Sequence, residues 1–319
     1  MAGSAVTMGE VYDCVRAATV APSIHNTQPW RFAAGPGHIE VRADLSRRLR
    51  VIDPSGRSLH ISCGAALFNL RTAVRYHGWH CRVQLLPDRS APERLASVEL
   101  HGRRRVDDVD RALYAAIPRR HTNRAPFTDR PVPDDAIRQL EEAARVEGGR
   151  LRVLDPDAAA AFLALVRTAD VRQRNDPAYR AELRAWTTDS PDRTDGVPRS
   201  AFGPWNAMEI LPVRDFGLDW PVSDRPAARF ESEPTVAVLS TDGDGPVDWL
   251  RAGVALQRVL LQVTMRGLSA SLMTQPLELP PLRALVAQSR LDAPQVILRV
   301  GYGGPAMPSP RRLVADVLD

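Results

Sequence analysis

Two long apolar stretches of this 319-residue chain share one plan, and they constrain the fold more than any other feature of it. Gly64-Ala65-Ala66-Leu67 and Gly253-Val254-Ala255-Leu256 each lie in a run of helical spacing, and each run closes at a second glycine, Gly78 or Gly267. Members of both glycine pairs are separated by 189 residues. Glycine just past the last periodic residue is the common helix stop, because it accepts the left-handed backbone that satisfies the final carbonyls. Strand-like sequence follows in both places. The pattern reads as a diverged internal duplication; chance likeness of two glycine-bounded apolar helices is the alternative.

The remaining periodicities fit around these helices. Residues 8–20 carry Val11, Val15 and Ala18 at helical spacing, and 30–34 and 39–42 alternate about Gly35-Pro36-Gly37-His38 as a hairpin. The first apolar helix is expected over 62–76, strands over 81–86 and 96–101, and a helix over 106–117. Pro131-Val132-Pro133-Asp134-Asp135 is a helix-start signal for 136–146, followed by a strand at 150–154 and a helix at 158–168. Between 186 and 229, prolines, Gly196, Gly203, Gly217 and the aromatics Trp205, Phe216 and Trp220 show little period. A segment this long without regular structure suits a lid or binding loop. A strand at 235–240, the second apolar helix at 249–265, a loop over 267–280 and a strand at 295–302 complete the expectation.

Composition removes several classes of function. Apolar residues make up 44%, enough for a proper core, yet no apolar run approaches membrane-spanning length and the first residues lack the pattern of a signal peptide, so a cytoplasmic protein is expected. All 42 basic side chains are arginine and the net charge is only +4; the one basic run, Arg103-Arg104-Arg105, meets Asp107, Asp108 and Asp110 at once, which argues against nucleic acid as a partner. Cys14, Cys63 and Cys81 have neither disulfide nor zinc spacing, and His77-Gly78-Trp79-His80 lacks a carboxylate, so no metal site is expected. Gly301-Tyr302-Gly303-Gly304 precedes no helix and fails the dinucleotide fingerprint, and no P-loop, nucleophile elbow or zinc-protease motif occurs. No side chain presents itself as a catalytic acid, base or nucleophile.

One polar stretch stands out against this background. Ala21-Pro22-Ser23-Ile24-His25-Asn26-Thr27-Gln28-Pro29-Trp30-Arg31-Phe32 leads from the first helix into the hairpin and carries two prolines that forbid helix. Side-chain amides both donate and accept, so Asn26 and Gln28 suit a planar heterocycle such as a flavin or a nucleobase. An ordinary capping and turn cluster would use the same residues.

Arg119-Arg120-His121-Thr122-Asn123-Arg124, followed by Pro131-Val132-Pro133 and a helix, resembles the opening of a nitroreductase-family flavoprotein, whose basic motif holds the FMN phosphate. Pro22, Ser23, Asn26, Gln28, Pro29 and Trp30 resemble that family's next landmark, a loop that contacts flavin bound largely by the other subunit of a homodimer. Here the two occur in different repeats and in reverse order, and the second repeat reads Val146-Glu147-Gly148-Gly149 where the loop would stand. This is similar to the Acg-type branch, in which two nitroreductase-like halves form a single-chain pseudo-dimer.

The resemblance implies an α+β fold of two diverged repeats, mainly antiparallel sheets flanked by helices, with halves at 1–110 and 111–319 and a lid at about 187–231. It implies one FMN per chain, working as a monomer. Arg120, His121, Thr122 and Arg124 would hold the phosphate with Arg311 and Arg312 of the C-terminal tail, and Pro22, Ser23, Asn26 and Gln28 would contact the flavin. Met273, Thr274 and Gln275 would pack beneath the ring and offer a backbone donor. The activity implied is hydride transfer from NAD(P)H through FMN to a small acceptor such as a nitroaromatic or quinone; the alternative is a flavin-sequestering protein whose lid prevents turnover.

Overall fold

The computed structural model describes residues 6–205, 211–220, 225–288 and 292–319, so parts of the expected lid, 206–210 and 221–224, lie outside the described residues. The first half runs α1 (Met8–Thr19), β1 (Trp30–Gly35), β2 (His38–Ala43), α2 (Arg57–Tyr76), β3 (Trp79–Leu85), β4 (Arg94–Arg103) and α3 (Asp108–Ala116). The second runs α4 (Asp134–Arg145), β5 (Arg150–Val153), α5 (Pro156–Arg174), α6 (Pro177–Ala185), β6 (Thr187–Thr188), β7 (Val197–Pro198), β8 (Thr235–Thr241), α7 (Pro246–Met265), β9 (Ser269–Leu272), α8 (Gln275–Glu278), α9 (Pro280–Gln288) and β10 (Ala293–Gly301). Two four-stranded sheets result, ordered β1-β2-β4-β3 and β5-β8-β10-β9, with every pairing inside them antiparallel. The order helix, two strands, helix, two strands therefore occurs twice, with the same topology.

The matched helices meet at the centre. Each is 20 residues long, and the glycines beyond them have the left-handed φ values of 77° at Gly78 and 68° at Gly267. A β-carbon on Gly64 would overlap the carbonyl oxygen of Leu250, and one on Gly253 would overlap that of Ile61. These contacts are reciprocal, since Ile61 and Leu250 are also 189 residues apart. Reciprocal pairs of this kind are what a two-fold axis generates. Glycine at both positions lets the backbones touch, so each core borrows from the other helix: Leu250, Val254 and Leu261 join the first sheet's core, and Ile61 joins the second's.

Where the halves differ, the cause is local. β1 and β2 are joined by a tight turn, whereas their counterparts β5 and β8 are separated by an insertion containing α5 to β7. The insertion lies against the first half. Leu49 and Ile52 pack with Tyr179, Leu183, Val197, Phe202 and Phe216, the Glu182 carboxylate accepts from the amides of Val51 and Ile52 at 3.0 Å each, and Arg47 pairs with Asp195. The C-terminal tail also crosses over: Phe32 N donates to the Val317 carbonyl at 2.7 Å, and Asp319 N to that of Phe32 at 2.8 Å.

Four expected boundaries are corrected. α2 begins at Arg57 because Asp53, upstream of the helical period, accepts from the amides of Ser58 and Leu59 at 2.9 Å and caps the first turn. α5 continues to Arg174, burying Val166, Ala169 and Gln173. α6, capped by Asp176, was hidden beside the irregular segment. The expected loop at 267–280 contains β9 and α8; Ser269-Ala270-Ser271-Leu272 has little strand propensity and is extended because it pairs with β10. Among the described residues no helix is long and apolar enough to cross a membrane.

Candidate functional site

The loop between α1 and β1 is strained. His25, Asn26 and Gln28 have φ values of 46°, 54° and 48°, and the only other non-glycine residue with positive φ among those described is Leu86. Each such residue costs on the order of 1–3 kcal/mol and persists only where its surroundings enforce it. Here the enforcement comes from three directions. Asn26 Nδ2 donates to the carbonyls of Gly196 (2.9 Å) and Pro310 (3.0 Å), while its Oδ1 accepts from Arg311 Nη1 at 2.9 Å. Gln28 donates to the Thr194 carbonyl at 2.8 Å and accepts from Arg312 N at 2.8 Å. Ser62 of α2 accepts from Ile24 N at 3.2 Å.

Arg120 to Arg124 face this loop from the second half. A 3-10 turn, Ile117–Arg119, ends α3, and the chain then joins the edge of the second sheet, with Asn123 N donating to the Ala270 carbonyl at 2.9 Å. Asn123 Nδ2 donates to the Gly304 carbonyl at 2.8 Å and its Oδ1 accepts from Ala125 N at 2.9 Å, fixing the turn. Arg120 is directed inward, only 4% exposed, with Nη2 at 3.3 Å from the Val20 carbonyl. Arg124 donates to the Ala201 carbonyl at 2.9 Å, and its guanidinium lies 4.7 Å from the centre of the Phe216 ring. Arg311 arrives on the C-terminal tail.

A cleft opens between these segments, lined by the loop, the basic motif and the C-terminal tail. Burial pushes Arg120 down to about 9, with Arg311 adding to the effect, and pushes Arg124 and Arg311 down to about 10, Arg214 adding to it at Arg124. Among the described residues none of the three is paired with a carboxylate, and Nε of Arg120 and of Arg311 has no partner. His121 is likewise held below its usual range by burial and by Arg120 and Arg311. Buried cations left without a counter-charge are the electrostatic complement of an anion. Arg214 differs: burial works against its charge, but the Glu278 carboxylate more than offsets that, and Arg214 also donates to the Tyr179 hydroxyl at 2.8 Å.

An apolar slot adjoins the cleft and shares Pro22, Ser23, Ile24, Leu272 and Thr274 with it. Ile61 and Leu256 come from the two central helices and Val296 from β10, with Arg57 and Gln295 at one end. Arg57 Nη1 donates to the Gln295 carbonyl at 2.7 Å. A flat apolar body could lie in the slot with its charged end in the cleft.

Nine of the thirteen residues expected at the site line the cleft: Pro22, Ser23 and Asn26 from the loop, Arg120, His121, Thr122 and Arg124 from the basic motif, and Thr274 and Arg311. The other four do not line it. Gln28 is buried in the bonds described above. Met273 is buried in the core, and its amide already donates to the Ile297 carbonyl at 3.0 Å. Gln275 is fully buried in α8, and Arg312 is spent on the carbonyls of Gln28 and Asp316 and on Asp44. Sequence reasoning missed His25, Phe216, Ser271 and Met307, which also line the cleft. His25 stood in the quoted stretch, but nothing in its spacing separates a ligand-facing imidazole from a turn residue. No cluster of His, Cys, Asp and Glu that could hold a metal occurs among the described residues.

Comparison with known proteins gives the chain's family. The model of the nitroreductase family matches residues 117–302. A Mycobacterium tuberculosis H37Rv protein provisionally named NAD(P)H nitroreductase Rv3131 is 35% identical over 94% of this chain and 88% of its own length. The product provisionally named NAD(P)H nitroreductase acg, from the same organism, is 32% identical over 99% and 97%. Among solved structures, the FMN and NADPH-dependent nitroreductase NfnB from Sphigopyxis sp. strain HMH is 18% identical, over 65% of this chain and 97% of its own, with a TM-score of 0.41. The family match and the near full-length relatives establish that the chain belongs to the nitroreductase family.

Proposed function

We propose that this chain is an FMN-dependent oxidoreductase that binds one FMN in the cleft and transfers hydride from NAD(P)H to a small acceptor such as a nitroaromatic or quinone. The observation that carries the reading is the convergence of Arg120, Arg124 and Arg311 in one cleft without a carboxylate partner among the described residues. A phosphate dianion supplies the charge they lack, and the donors left over, Nε of Arg120 and of Arg311, fit it. The halves, divided near residue 110, act as a single-chain pseudo-dimer in which the first supplies the loop and the second the basic motif. No second copy is then needed to complete the site.

FMN, when bound, supplies the hydride chemistry. The protein's part is to bind, orient and exclude. Arg120, Arg124, Arg311 and His121 hold the anionic end. Ile61, Leu256, Leu272 and Val296 give the slot a dry apolar lining, and the hydroxyls of Ser23, Ser62 and Thr274 offer polar contacts along its edge. Phe216 and Val213 of the insertion cover the cleft.

That cover also favours a second reading, flavin sequestration. The buried Arg214–Glu278 pair and the apolar contacts to Leu49 and Ile52 fasten the insertion over the site. Anaerobic mixing of the FMN-loaded protein with NADH or NADPH separates the two. The oxidoreductase reading expects prompt bleaching of the oxidised flavin band; reduction by dithionite but by neither nicotinamide would refute it in favour of sequestration, and saturation at two FMN per chain would refute the single-site assignment.

A further inference from the structure

Within the cleft His25 is the residue without an assigned task. Its side chain is buried, 5% exposed, yet neither Nδ1 nor Nε2 has a hydrogen-bond partner. The backbone that presents it is left-handed, at φ 46° and ψ 25°. The ring packs against Phe216 with centroids 5.2 Å apart and planes 81° to each other, and both nitrogens stay uncommitted. A histidine kept for packing alone would be better replaced by an apolar ring, since a buried donor and a buried acceptor without partners both oppose folding.

We infer that His25 is a ligand-binding residue whose neutral imidazole makes a donor and an acceptor hydrogen bond to the hydroxylated chain of the bound cofactor; this rests on the FMN reading above. Two observations select the chain over the cofactor's other parts. First, His25 lines the polar cleft but not the adjoining apolar slot, where Leu256, Ile61 and Val296 offer a flat body its contacts. Second, a neutral imidazole has one donor and one acceptor, whereas a phosphate dianion offers acceptors only. The complement of an imidazole is a group that also does both, and the ribityl hydroxyls of FMN are such groups. Burial, with Arg214 and Arg124 nearby, keeps the ring in that neutral form.

The test compares FMN with a flavin phosphate whose chain is a plain pentyl linker, using flavin fluorescence to measure Kd on the full chain. Wild type should bind FMN. His25→Phe, which keeps a ring against Phe216 and deletes both nitrogens, should weaken FMN binding about 10- to 100-fold, the worth of two neutral hydrogen bonds. It should bind the hydroxyl-free analogue as wild type does, and His25→Gln, which restores a donor and an acceptor, should recover most of the FMN affinity. His25→Met provides the same deletion if the phenylalanine variant does not fold. Equal FMN affinity in the wild type and the deletion variant, or an equal loss with both flavins, would overturn the assignment while leaving the FMN reading intact. Failure of wild type itself to take up FMN would overturn both.

Discussion

Replacing Arg120 by methionine should move two properties of this protein in opposite directions. The residue is 4% exposed, its side chain makes one hydrogen bond among the described residues, a long one of 3.3 Å to the Val20 carbonyl, its Nε has no partner there, and Arg311 lies close enough to disfavour its charge. Burial, with Arg311 adding to the effect, pushes Arg120 down to about 9, so holding the guanidinium charged without ligand costs on the order of 5 kcal/mol. Methionine preserves the length and apolar stem of the side chain and removes the charge, which should return about 1–3 kcal/mol of that to the ligand-free protein. For a chain of this size the gain is a Tm higher by roughly 2–6 °C. The phosphate, in contrast, loses a charge-assisted hydrogen bond of about 1.5–3 kcal/mol, so the Kd for FMN should rise roughly 10- to 150-fold. Thermal unfolding of stripped protein, with and without added FMN, reads both effects in one experiment. A ligand-free variant less stable than wild type, or an unchanged Kd, would show that Arg120 is a structural residue and that the cleft is not organised around an anion.

Two further outcomes follow from other parts of the fold. Gly253→Ala puts a methyl group where the Ile61 carbonyl and the Gly64 Cα already stand, and because backbone atoms cannot step aside the variant should lose about 3 kcal/mol or more in urea denaturation and give up its FMN as the halves separate. His25, His60 and His121 are all held below their ordinary value of 6.5, chiefly by burial. The unfolded chain therefore binds protons that the folded chain refuses, and stability of the ligand-free protein should fall as pH drops from about 6.5 toward the lower folded values. His25→Asn, which tolerates left-handed backbone and does not titrate, should reduce that slope by about 1.4 kcal/mol per pH unit between pH 6.5 and 5; an unchanged slope would mean that His25 is protonated in the folded protein.

The parts of this fold that were legible in the sequence are those where local pattern and tertiary role coincide. α2 and α7 bury nearly every side, so their apolar spacing and glycine stops were visible, and their equal separation pointed to the repeated architecture. The basic motif and the polar loop were legible as chemistry. What joins them was not. Phe216 reaches the cleft because the insertion folds back over Leu49 and Ile52, and Arg311 reaches it because the tail crosses to β1; both depend on contacts hundreds of residues apart that leave no period in the chain. The positive φ values of Asn26 and Gln28 were hidden for a similar reason, their side chains being held by Gly196, Thr194 and the tail. β9 escaped because its extension is dictated by β10.

The repeated architecture also explains, on the proposed reading, why a chain with two similar halves would have one cofactor site. At the same 189-residue offset, Ser62, Leu256, Leu272 and Thr274 of the slot correspond to Arg251, Leu67, Val83 and Leu85, and these four line another cleft. α1 and α4 are both 12 residues long, so Ala21 and Pro22 correspond to Glu147 and Gly148. In place of a strained loop, this second cleft holds the Glu147 carboxylate, which accepts from Arg71 at 2.7 Å and from Arg258 at 2.9 Å. The two clefts are thus opposite in electrostatic state. Arg120, Arg124 and Arg311 in the first have no carboxylate partner among the described residues and call for a ligand to complete them, whereas Glu147 lets the second satisfy itself. Loss of the basic motif from one half and of the loop from the other would leave two incomplete sites if the losses fell on the same side of the axis, or one complete site and one free to be filled by protein if they fell on opposite sides. Arg120 and Ser23 meet in a single cleft, which is the second arrangement.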